Sequence, residues 1–93
     1  MGKYIVNYTE TAISDLQKHK KYGNKAVLNK ILAIVNELEE HPYTGIGKPE
    51  QLKHTLVGFW SRRINQKYRL IYTVEEEIVT VEIVSVIGHY GDK

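Results

Sequence analysis

The sequence predicts an α+β domain in which two N-terminal helices pack on one face of a mostly antiparallel sheet. Apolar residues recur at helical spacing through the first 40 positions, whereas much of the second half alternates apolar and polar residues as strands do. The predicted order is β-α-α-β-β-β-β, and helices grouped apart from the strands are typical of α+β folds. A length of 93 residues fits a single domain that spans 1–93.

A short strand and a helix open the chain. Residues 3–8 are rich in β-forming side chains. Thr9 is suited to cap a helix beginning at Glu10, because its hydroxyl can accept a hydrogen bond from an N–H of the first turn. This helix should end near Gly23, after a basic last turn that complements the helix dipole. Its thin apolar stripe consists of Ala12, Ile13 and Leu16.

A second helix should follow Asn24, which is another capping residue. It should end at His41-Pro42, because a residue that precedes proline avoids helical backbone angles. The short connection between the helices predicts an antiparallel helical hairpin. The wide apolar face of the second helix consists of Val27, Leu28, Ile31, Leu32, Val35 and Leu38.

A loop rich in glycine and proline over 42–49 precedes the remaining strands. Asn65-Gln66-Lys67 should turn the chain once and Glu75-Glu76-Glu77 should form a second, solvated hairpin turn. The last strand is apolar on both faces, which predicts a central position in the sheet. The sheet face without helices is then free to carry polar side chains and to form a binding cleft. The predicted strands are 52–56, 59–64, 68–74 and 78–87.

Composition excludes several classes of protein. The absence of cysteine excludes a disulfide framework and a thiolate zinc site. No apolar run approaches the roughly 20 residues of a membrane span, and residues 1–4 lack the apolar region of a signal peptide. We therefore expect a cytoplasmic protein that does not contact membranes. His19 and His41 have no ligand spacing with other metal-binding residues, so we predict no metal or other cofactor.

Positive charge is concentrated in one part of the chain. Residues 41–74 carry six Lys or Arg side chains against Glu50 alone, whereas residues 75–93 carry five acidic side chains against one lysine. A cluster of cations favours a polyanion such as RNA, through phosphate contacts and counterion release. A solvated, charged strand face is the alternative interpretation of the cluster alone.

The same region resembles a known protein family. Between Gly45 and Tyr72 the chain carries G-x-G-K-P-E-x-L-K-H-x-L-x-G-F-W-S-R-R-I followed by Y-R-L-I-Y. This pattern resembles the YoeB/Txe branch of the RelE/ParE toxin superfamily, and weaker similarity covers the rest of the chain. The resemblance implies a microbial-ribonuclease-like fold and metal-free cleavage of mRNA in the ribosomal A site. It also implies a cognate YefM/Phd-like protein antitoxin, and some relatives form homodimers.

The resemblance assigns roles to five residues. The general base of the family falls on Glu50, its phosphate-binding arginine on Arg63 and its transition-state-stabilising arginine on Arg69. Its C-terminal His-Tyr pair falls on His89 and Tyr90.

A basic group surrounds the predicted base. Lys48 precedes it within the Lys-Pro-Glu motif, and Lys53 and His54 match a basic pair that follows it, so we expect all three to contact RNA. The chain departs from the family pattern near its end. Gly88 stands where some members carry a tyrosine, and residues 91–93 extend beyond the point where some members end.

The implied reaction is attack of a ribose 2′-hydroxyl on the adjacent phosphorus, which expels the 5′-oxygen. It needs a base, an acid and positive charge on the phosphate. His89 suits the acid because an imidazole titrates at about 6.5. Arg63 and Arg69 would both point to the open sheet face if the turn at 65–67 pairs their strands. Arg62 has the opposite parity and is expected to face the edge of the helices or the antitoxin.

Each assignment has a plainer alternative. Glu50 can be a surface side chain in a basic loop, the arginines an exposed cross-strand pair, and His89 and Tyr90 the end of the chain. Tyr90 is otherwise suited to stack on an unpaired base. Two other functions compete with RNA cleavage: a gyrase poison such as the ParE relatives, and an RNA- or ribosome-binding module that cleaves nothing.

The remaining aromatic residues are expected to pack in the core. Large aromatic side chains dominate the cores of small domains, so Phe59 and Trp60 are predicted to be core residues rather than RNA platforms. The same interpretation applies to the tyrosines Tyr4, Tyr8, Tyr68 and Tyr72.

Overall fold

The computed structural model describes residues 3–23 and 25–87, and for His54 and Ile87 it describes the backbone alone. Its element order confirms the predicted β-α-α-β-β-β-β arrangement. The predicted cap at Asn24 lies outside the described residues. Within the described ranges, no helix is both long and apolar enough to cross a membrane. The elements are β1 Ile5–Tyr8, α1 Glu10–Tyr22, α2 Lys25–Leu38, β2 Glu50–Gln51, β3 Trp60–Arg63, β4 Arg69–Glu75 and β5 Thr80–Ile87.

The strands form one sheet in the order β1-β5-β4-β3-β2. β1 runs parallel to β5, and the other neighbouring pairs are antiparallel. The fold is therefore α+β with a mostly antiparallel sheet, as the sequence predicts. β5 has a strand on each side, which agrees with its two apolar faces.

The ends of α1 are those that the sequence predicts. The Thr9 hydroxyl oxygen accepts a hydrogen bond from the Ala12 N–H at 3.0 Å and donates one to the Val84 carbonyl at 2.7 Å. At the other end, the Gly23 N–H donates to the His19 carbonyl at 2.8 Å. Thr9 thus joins the start of α1 to the interior strand β5.

Side chains of α1 also bind the far end of β5. The Val86 N–H donates to Asp15 Oδ2 at 2.9 Å, and His19 Nε2 lies 3.2 Å from the Val86 carbonyl oxygen. His19 is consequently buried. Ile13, predicted to be buried, is 46% exposed. The prediction is wrong for Ile13 alone, because Ala12 is buried and Leu16 packs partly against the core, and Ile13 is turned about 100° from Ala12 around the helix axis.

The buried face of α2 differs from the predicted one. Leu32 is 60% exposed, whereas Ile34, which was not predicted, is fully buried. Successive residues of a helix are about 100° apart, so the face that packs on the sheet leaves Leu32 to one side. The residues that α2 buries are Val27, Ile31, Ile34 and Leu38. They join one core with buried sheet residues that include Leu70, Tyr72, Val81 and Ile83.

Both predicted turns are present. Asn65 Oδ1 accepts hydrogen bonds from the Lys67 and Tyr68 N–H groups, at 2.8 and 2.7 Å, which fixes the turn between β3 and β4. The turn between β4 and β5 exposes its glutamates to solvent. The Glu76 carboxylate also accepts hydrogen bonds from the hydroxyls of Tyr4 and Tyr43, so this turn is tied to the body of the fold.

Most of the aromatic predictions are confirmed. Tyr4 and Tyr72 are buried, Tyr68 packs partly against the core, and Trp60 does the same with its ring 6.5 Å from that of Tyr72. Tyr8, in contrast, is 39% exposed, because β1 lies at the edge of the sheet. Phe59 was predicted to be a core residue, but it is only half-buried and lies outside the main core.

The strand predicted at 52–56 is wrong. The strand that precedes β3 is Glu50–Gln51, and His54–Leu56 forms a turn of 3-10 helix. The Leu52 N–H donates to the Phe59 carbonyl at 2.9 Å, so the chain reverses direction between these two residues. The carboxylate of Glu50 therefore projects from a strand and not from a loop.

Candidate functional site

Three of the predicted site residues share the sheet face that the helices leave open. Glu50 pairs with Ser61 across β2 and β3, and Arg63 pairs with Arg69 across β3 and β4. Directly paired residues project from the same face, and residues two apart along a strand do so as well. Glu50, Arg63 and Arg69 consequently project together, as the sequence predicts for the two arginines.

The register sets the spacing of these groups. Directly opposed side chains have Cβ atoms roughly 4.5–5.5 Å apart, and diagonal neighbours lie about 7–8 Å apart. Arg63 and Arg69 are direct partners, and Glu50 is one diagonal step from Arg63. A tetrahedral phosphate group bridges such separations, so this face can hold an anion between a carboxylate and two guanidinium groups.

The opposite parity of Arg62 buries it completely. Its guanidinium faces α2, where Nη1 donates to Glu37 Oε1 at 2.6 Å. Three backbone carbonyls accept further hydrogen bonds from it at 2.5–3.0 Å, those of His41, Thr44 and Ile46. This result confirms that Arg62 faces the helices. It also shows that Arg62 holds the segment that leads to Glu50.

Tyr72 extends this network beneath the sheet. Arg62 Nε donates to the Tyr72 hydroxyl oxygen at 3.2 Å, and that hydroxyl donates to the Pro42 carbonyl at 2.6 Å. Burial raises the pKa of Tyr72 above its ordinary value, and the nearby Arg62 opposes that rise. The phenol therefore stays protonated and continues to donate to the loop at neutral pH.

Glycine allows the loop to approach β3 closely. The Arg63 N–H donates to the Gly47 carbonyl at 2.6 Å. Gly47 has a φ of +81°, and a Cβ added there would lie 2.9 Å from the Arg63 carbonyl oxygen. The backbone of the loop is thus fixed against the strand that carries Arg63, two residues before Pro49 and three before Glu50.

Lys48 is exposed beside this contact and lines a cavity of about 400 Å³ together with Arg63. Lys53 is also exposed, in the segment that follows β2. His54 begins the 3-10 turn, and its side chain is outside the described part of the structure. The structure thus brings Lys48 together with Arg63.

The two C-terminal candidates, His89 and Tyr90, lie outside the described residues. The backbone of β5 is described as far as Ile87, which pairs with Arg69. Arg69 and Ile87 therefore form the last described pair of these two strands. His89 follows Ile87 by two positions in the sequence.

Two further residues at this site were not predicted. Ser61 lies between Glu50 and Ile71 in the sheet register, is 1% exposed, and has a buried hydroxyl oxygen with no hydrogen-bond partner among the described residues. Lys30 of α2 lines the cavity that holds Lys48 and Arg63. The alternation of β3 places Ser61 with Arg63, but nothing in the sequence pairs it with Glu50 or brings Lys30 to this place.

Metal ligation finds no support in the part of the chain that the structure describes. No group of three or more His, Cys, Asp or Glu side chains is placed there to hold a metal ion. The chemistry available on the open face is that of a carboxylate beside guanidinium and ammonium groups.

Solved structures of bacterial toxins share this architecture. A YoeB/ParE toxin from Agrobacterium tumefaciens superposes with a TM-score of 0.85 at 28% identity, over 92% of this chain and 99% of that chain. YoeB in a YoeB-YefM complex from Staphylococcus aureus superposes with a TM-score of 0.79 at 34% identity, over 94% of this chain and 98% of that chain. The fold thus defines a small toxin of the YoeB/RelE type.

Comparison with the sequences of known proteins identifies the same kind of toxin. A toxin YoeB from Escherichia coli O6:H1 is 43% identical over 58 residues, which is 62% of this chain and 69% of that protein. A toxin YoeB from Synechocystis is 42% identical over 68 residues, which is 73% of this chain and 77% of that protein. The sequence model of the YoeB-like toxins of bacterial type II toxin-antitoxin systems matches residues 8–90. The chain belongs to this family.

Proposed function

We propose that this toxin is a metal-independent endoribonuclease that cleaves mRNA on the ribosome and thereby inhibits translation in the cytoplasm. The observation that carries the proposal is the register that places Glu50, Arg63 and Arg69 on one open sheet face. A base and two cations at such spacing match the needs of a transesterification at phosphorus.

Glu50 is the proposed base. Its carboxylate takes the proton of a ribose 2′-hydroxyl, whose oxygen attacks the adjacent phosphorus and forms a 2′,3′-cyclic phosphate. Pro49 restricts the backbone before it, and the Arg63–Gly47 hydrogen bond fixes the loop. A base held in place in this way needs little reorganisation when the RNA binds.

Arg63 and Arg69 are proposed to bind the scissile phosphate. Planar guanidinium groups match phosphate oxygens in pairs and remain charged at any physiological pH. The negative charge on phosphorus increases in the transition state, so preorganised cations stabilise it more than they stabilise the substrate.

The remaining roles follow from the family resemblance. His89 would give a proton to the leaving 5′-oxygen, and Tyr90 would stack on a base. Lys48, Lys53 and His54 would contact the RNA around the cleaved bond.

We further propose that a protein antitoxin silences this toxin. Solved structures show YoeB of Staphylococcus aureus in a complex with YefM and, separately, as a dimer. A largely disordered antitoxin segment whose acidic side chains meet Arg63 and Arg69 would compete with RNA for the same face. A homodimer is a further state that this likeness suggests.

Expression of the toxin without its antitoxin tests the proposal. We expect wild-type protein to arrest growth and to produce mRNA fragments that end in 2′,3′-cyclic phosphate at A-site codons. Glu50→Gln and Arg69→Ala should lose most of the cleavage while circular dichroism shows an unchanged fold. Glu77→Gln, which alters an exposed glutamate in the β4–β5 turn, is the matched control for Glu50→Gln and should cut normally.

The same experiment separates the alternatives. Cleavage by Glu50→Gln at the wild-type rate would refute the role of Glu50 as base. Growth arrest with gyrase-dependent DNA breaks would indicate a gyrase poison. RNA or ribosome binding with intact message would indicate a module that does not cleave.

A further inference from the structure

A cationic groove, which we call the α2 groove, runs from β3 to the second helix. Its main cavity of about 400 Å³ is lined by Lys30, Lys48 and Arg63, with Asn65 and Gln66 of the β3–β4 turn. A second cavity of about 270 Å³ continues from it along α2 and shares Lys30, Ile64 and Asn65. The groove therefore begins at one of the proposed phosphate-binding arginines and leads away from it.

The charge of the groove has one sign. Lys30 comes from α2, Lys48 from the loop and Arg63 from β3, so three separate elements each supply a cation. No acidic side chain lines the groove among the residues that the structure describes. Glu37, two turns further along the same helix, does not line either cavity, and its Oε1 accepts hydrogen bonds from Arg62 and from the Ile46 N–H.

The polar lining is held in place before any ligand binds. Asn65 Oδ1 is occupied by the Lys67 and Tyr68 N–H groups, which orients the side chain and leaves its NH₂ group to donate to a ligand. The Gly47 carbonyl is bound by the Arg63 N–H, which fixes the backbone beside Lys48. Side-chain amides and cations together suit a nucleotide, since they can bind both phosphate and base edges.

We infer that the α2 groove binds the stretch of RNA strand next to the cleaved bond, with Lys30 on the neighbouring phosphodiester. This inference rests on the proposed function, because its starting point is Arg63 on the scissile phosphate. RNA is favoured over an acidic protein segment by the amides of Asn65 and Gln66, which can meet base edges as well as phosphate oxygens. A volume of about 400 Å³ also lies within the roughly 300–1,000 Å³ of small-ligand sites.

Salt-dependent binding tests this inference on the complete chain, purified free of antitoxin. The probe is a single-stranded RNA oligomer with 2′-O-methyl riboses, which has no nucleophile and is not cut. Affinity is measured against salt concentration for wild type, Lys30→Gln and Lys20→Gln. Lys20 is an exposed lysine on α1 and does not line the groove, so its variant removes one positive charge at a different place on the surface.

Lys30→Gln should lower the slope of log affinity against log salt by about 0.7, which is the value of one phosphate contact on a single strand. That change corresponds to about fivefold in affinity for each tenfold change in salt. Lys20→Gln should keep the wild-type slope. With a dinucleotide, which has a single phosphodiester, wild type and Lys30→Gln should bind alike, a result that general damage to the fold would not give.

Equal slopes for Lys30→Gln and Lys20→Gln would overturn the inference. So would a loss of binding to poly-glutamate, but not to RNA, in the Lys30→Gln protein, because the groove would then be a site for acidic protein. Cleavage of unmodified mRNA on translating ribosomes, measured in parallel, distinguishes a failure of this inference from a failure of the proposed function. Wild type that binds through Lys30 but never cuts would refute the proposed function alone, and wild type that cuts without using Lys30 would refute the groove alone.

Discussion

Arg62 holds the loop before Glu50 against the second helix, so its removal should destabilise the whole chain. The side chain is completely buried and ion-paired with Glu37, and its guanidinium also donates to the carbonyls of His41, Thr44 and Ile46. Arg62→Ala would break all of these hydrogen bonds at once. It would also leave the Glu37 carboxylate without its cation.

The expected cost follows from the burial of the pair. Breaking a buried ion pair by removing one partner costs about 3–5 kcal/mol. The Glu37 side chain is 24% exposed, so water partly replaces the lost cation, and we expect the lower end, about 3 kcal/mol. For a chain of this length, that loss corresponds to a fall in Tm of roughly 12–24 °C.

Urea denaturation of the antitoxin-free chain measures this change, and Arg63→Ala is the matched control. Arg63 is the next residue and has the same side chain, but it is exposed on the opposite face of the sheet. Its removal should change the free energy of unfolding by no more than about 0.5 kcal/mol. Arg62→Lys should recover only part of the loss, because an ammonium group cannot reach several acceptors in the way a planar guanidinium does.

A double-mutant cycle completes the experiment. If Arg62 and Glu37 act as a pair, the double variant with both replaced by alanine should be more stable than the sum of the two single losses predicts. Equal unfolding free energies for Arg62→Ala and Arg63→Ala would refute the reasoning, since burial and pairing would then have no effect.

Three further predictions concern stability. Ser61→Ala should raise the free energy of unfolding by about 1 kcal/mol, because it removes a buried hydroxyl that has no hydrogen-bond partner within residues 3–23 and 25–87. Gly47→Ala should lower it by about 1 kcal/mol or more, since the added Cβ would meet the Arg63 carbonyl oxygen at a positive φ. Hydrogen bonds from Tyr43, and then from Tyr4, hold the pKa of Glu76 below its ordinary value of 4.5. Wild type should therefore be more stable than Glu76→Gln at pH 7, and this advantage should vanish as the pH falls below 4.5.

Urea midpoints measured on the same chain check all three. A lower midpoint for Ser61→Ala would show that the hydroxyl has a partner in solution. A Gly47→Ala protein as stable as wild type would show that the loop can move away from β3. The sign for Glu76 follows from its lowered pKa in the folded state, which stabilises the fold only while the carboxylate is ionised. An advantage over Glu76→Gln that does not begin to decrease as the pH falls below 4.5 would contradict that linkage.

Local signals were sufficient for much of the fold. The cap that Thr9 forms on α1 and the turn that Asn65 fixes between β3 and β4 both use hydrogen bonds to residues within three positions, so these roles are visible in a short stretch of sequence. The pairing of Arg63 with Arg69 follows from that turn and from the alternation of the two strands. The prediction failed for the strand placed at 52–56, where the Leu56 N–H donates to the Lys53 carbonyl at 3.1 Å and a turn of 3-10 helix forms instead.

The candidate site shows the same division. The sequence pointed to Glu50, Arg63 and Arg69 through an irregular motif, because a motif depends only on residue types and their order. It did not place Glu50 in a strand opposite Ser61, because a two-residue strand has too few positions to show alternation. The groove formed by Lys30 with Lys48 was equally hidden, because it depends on how α2 lies across the sheet.

By itself, the chain of amino acids determined the kinds of elements, their order and the side chains available for chemistry, because backbone preferences and capping act over a few residues. Strand alternation also predicted that Arg62 and Arg63 occupy opposite faces, but only the tertiary structure decided which partners each of them meets. Arg62 and Arg63 are neighbours of the same type, yet one is buried against Glu37 and the other is exposed beside Arg69. That difference arises from the sheet register and from the docking of α2, which bring together residues far apart in the sequence.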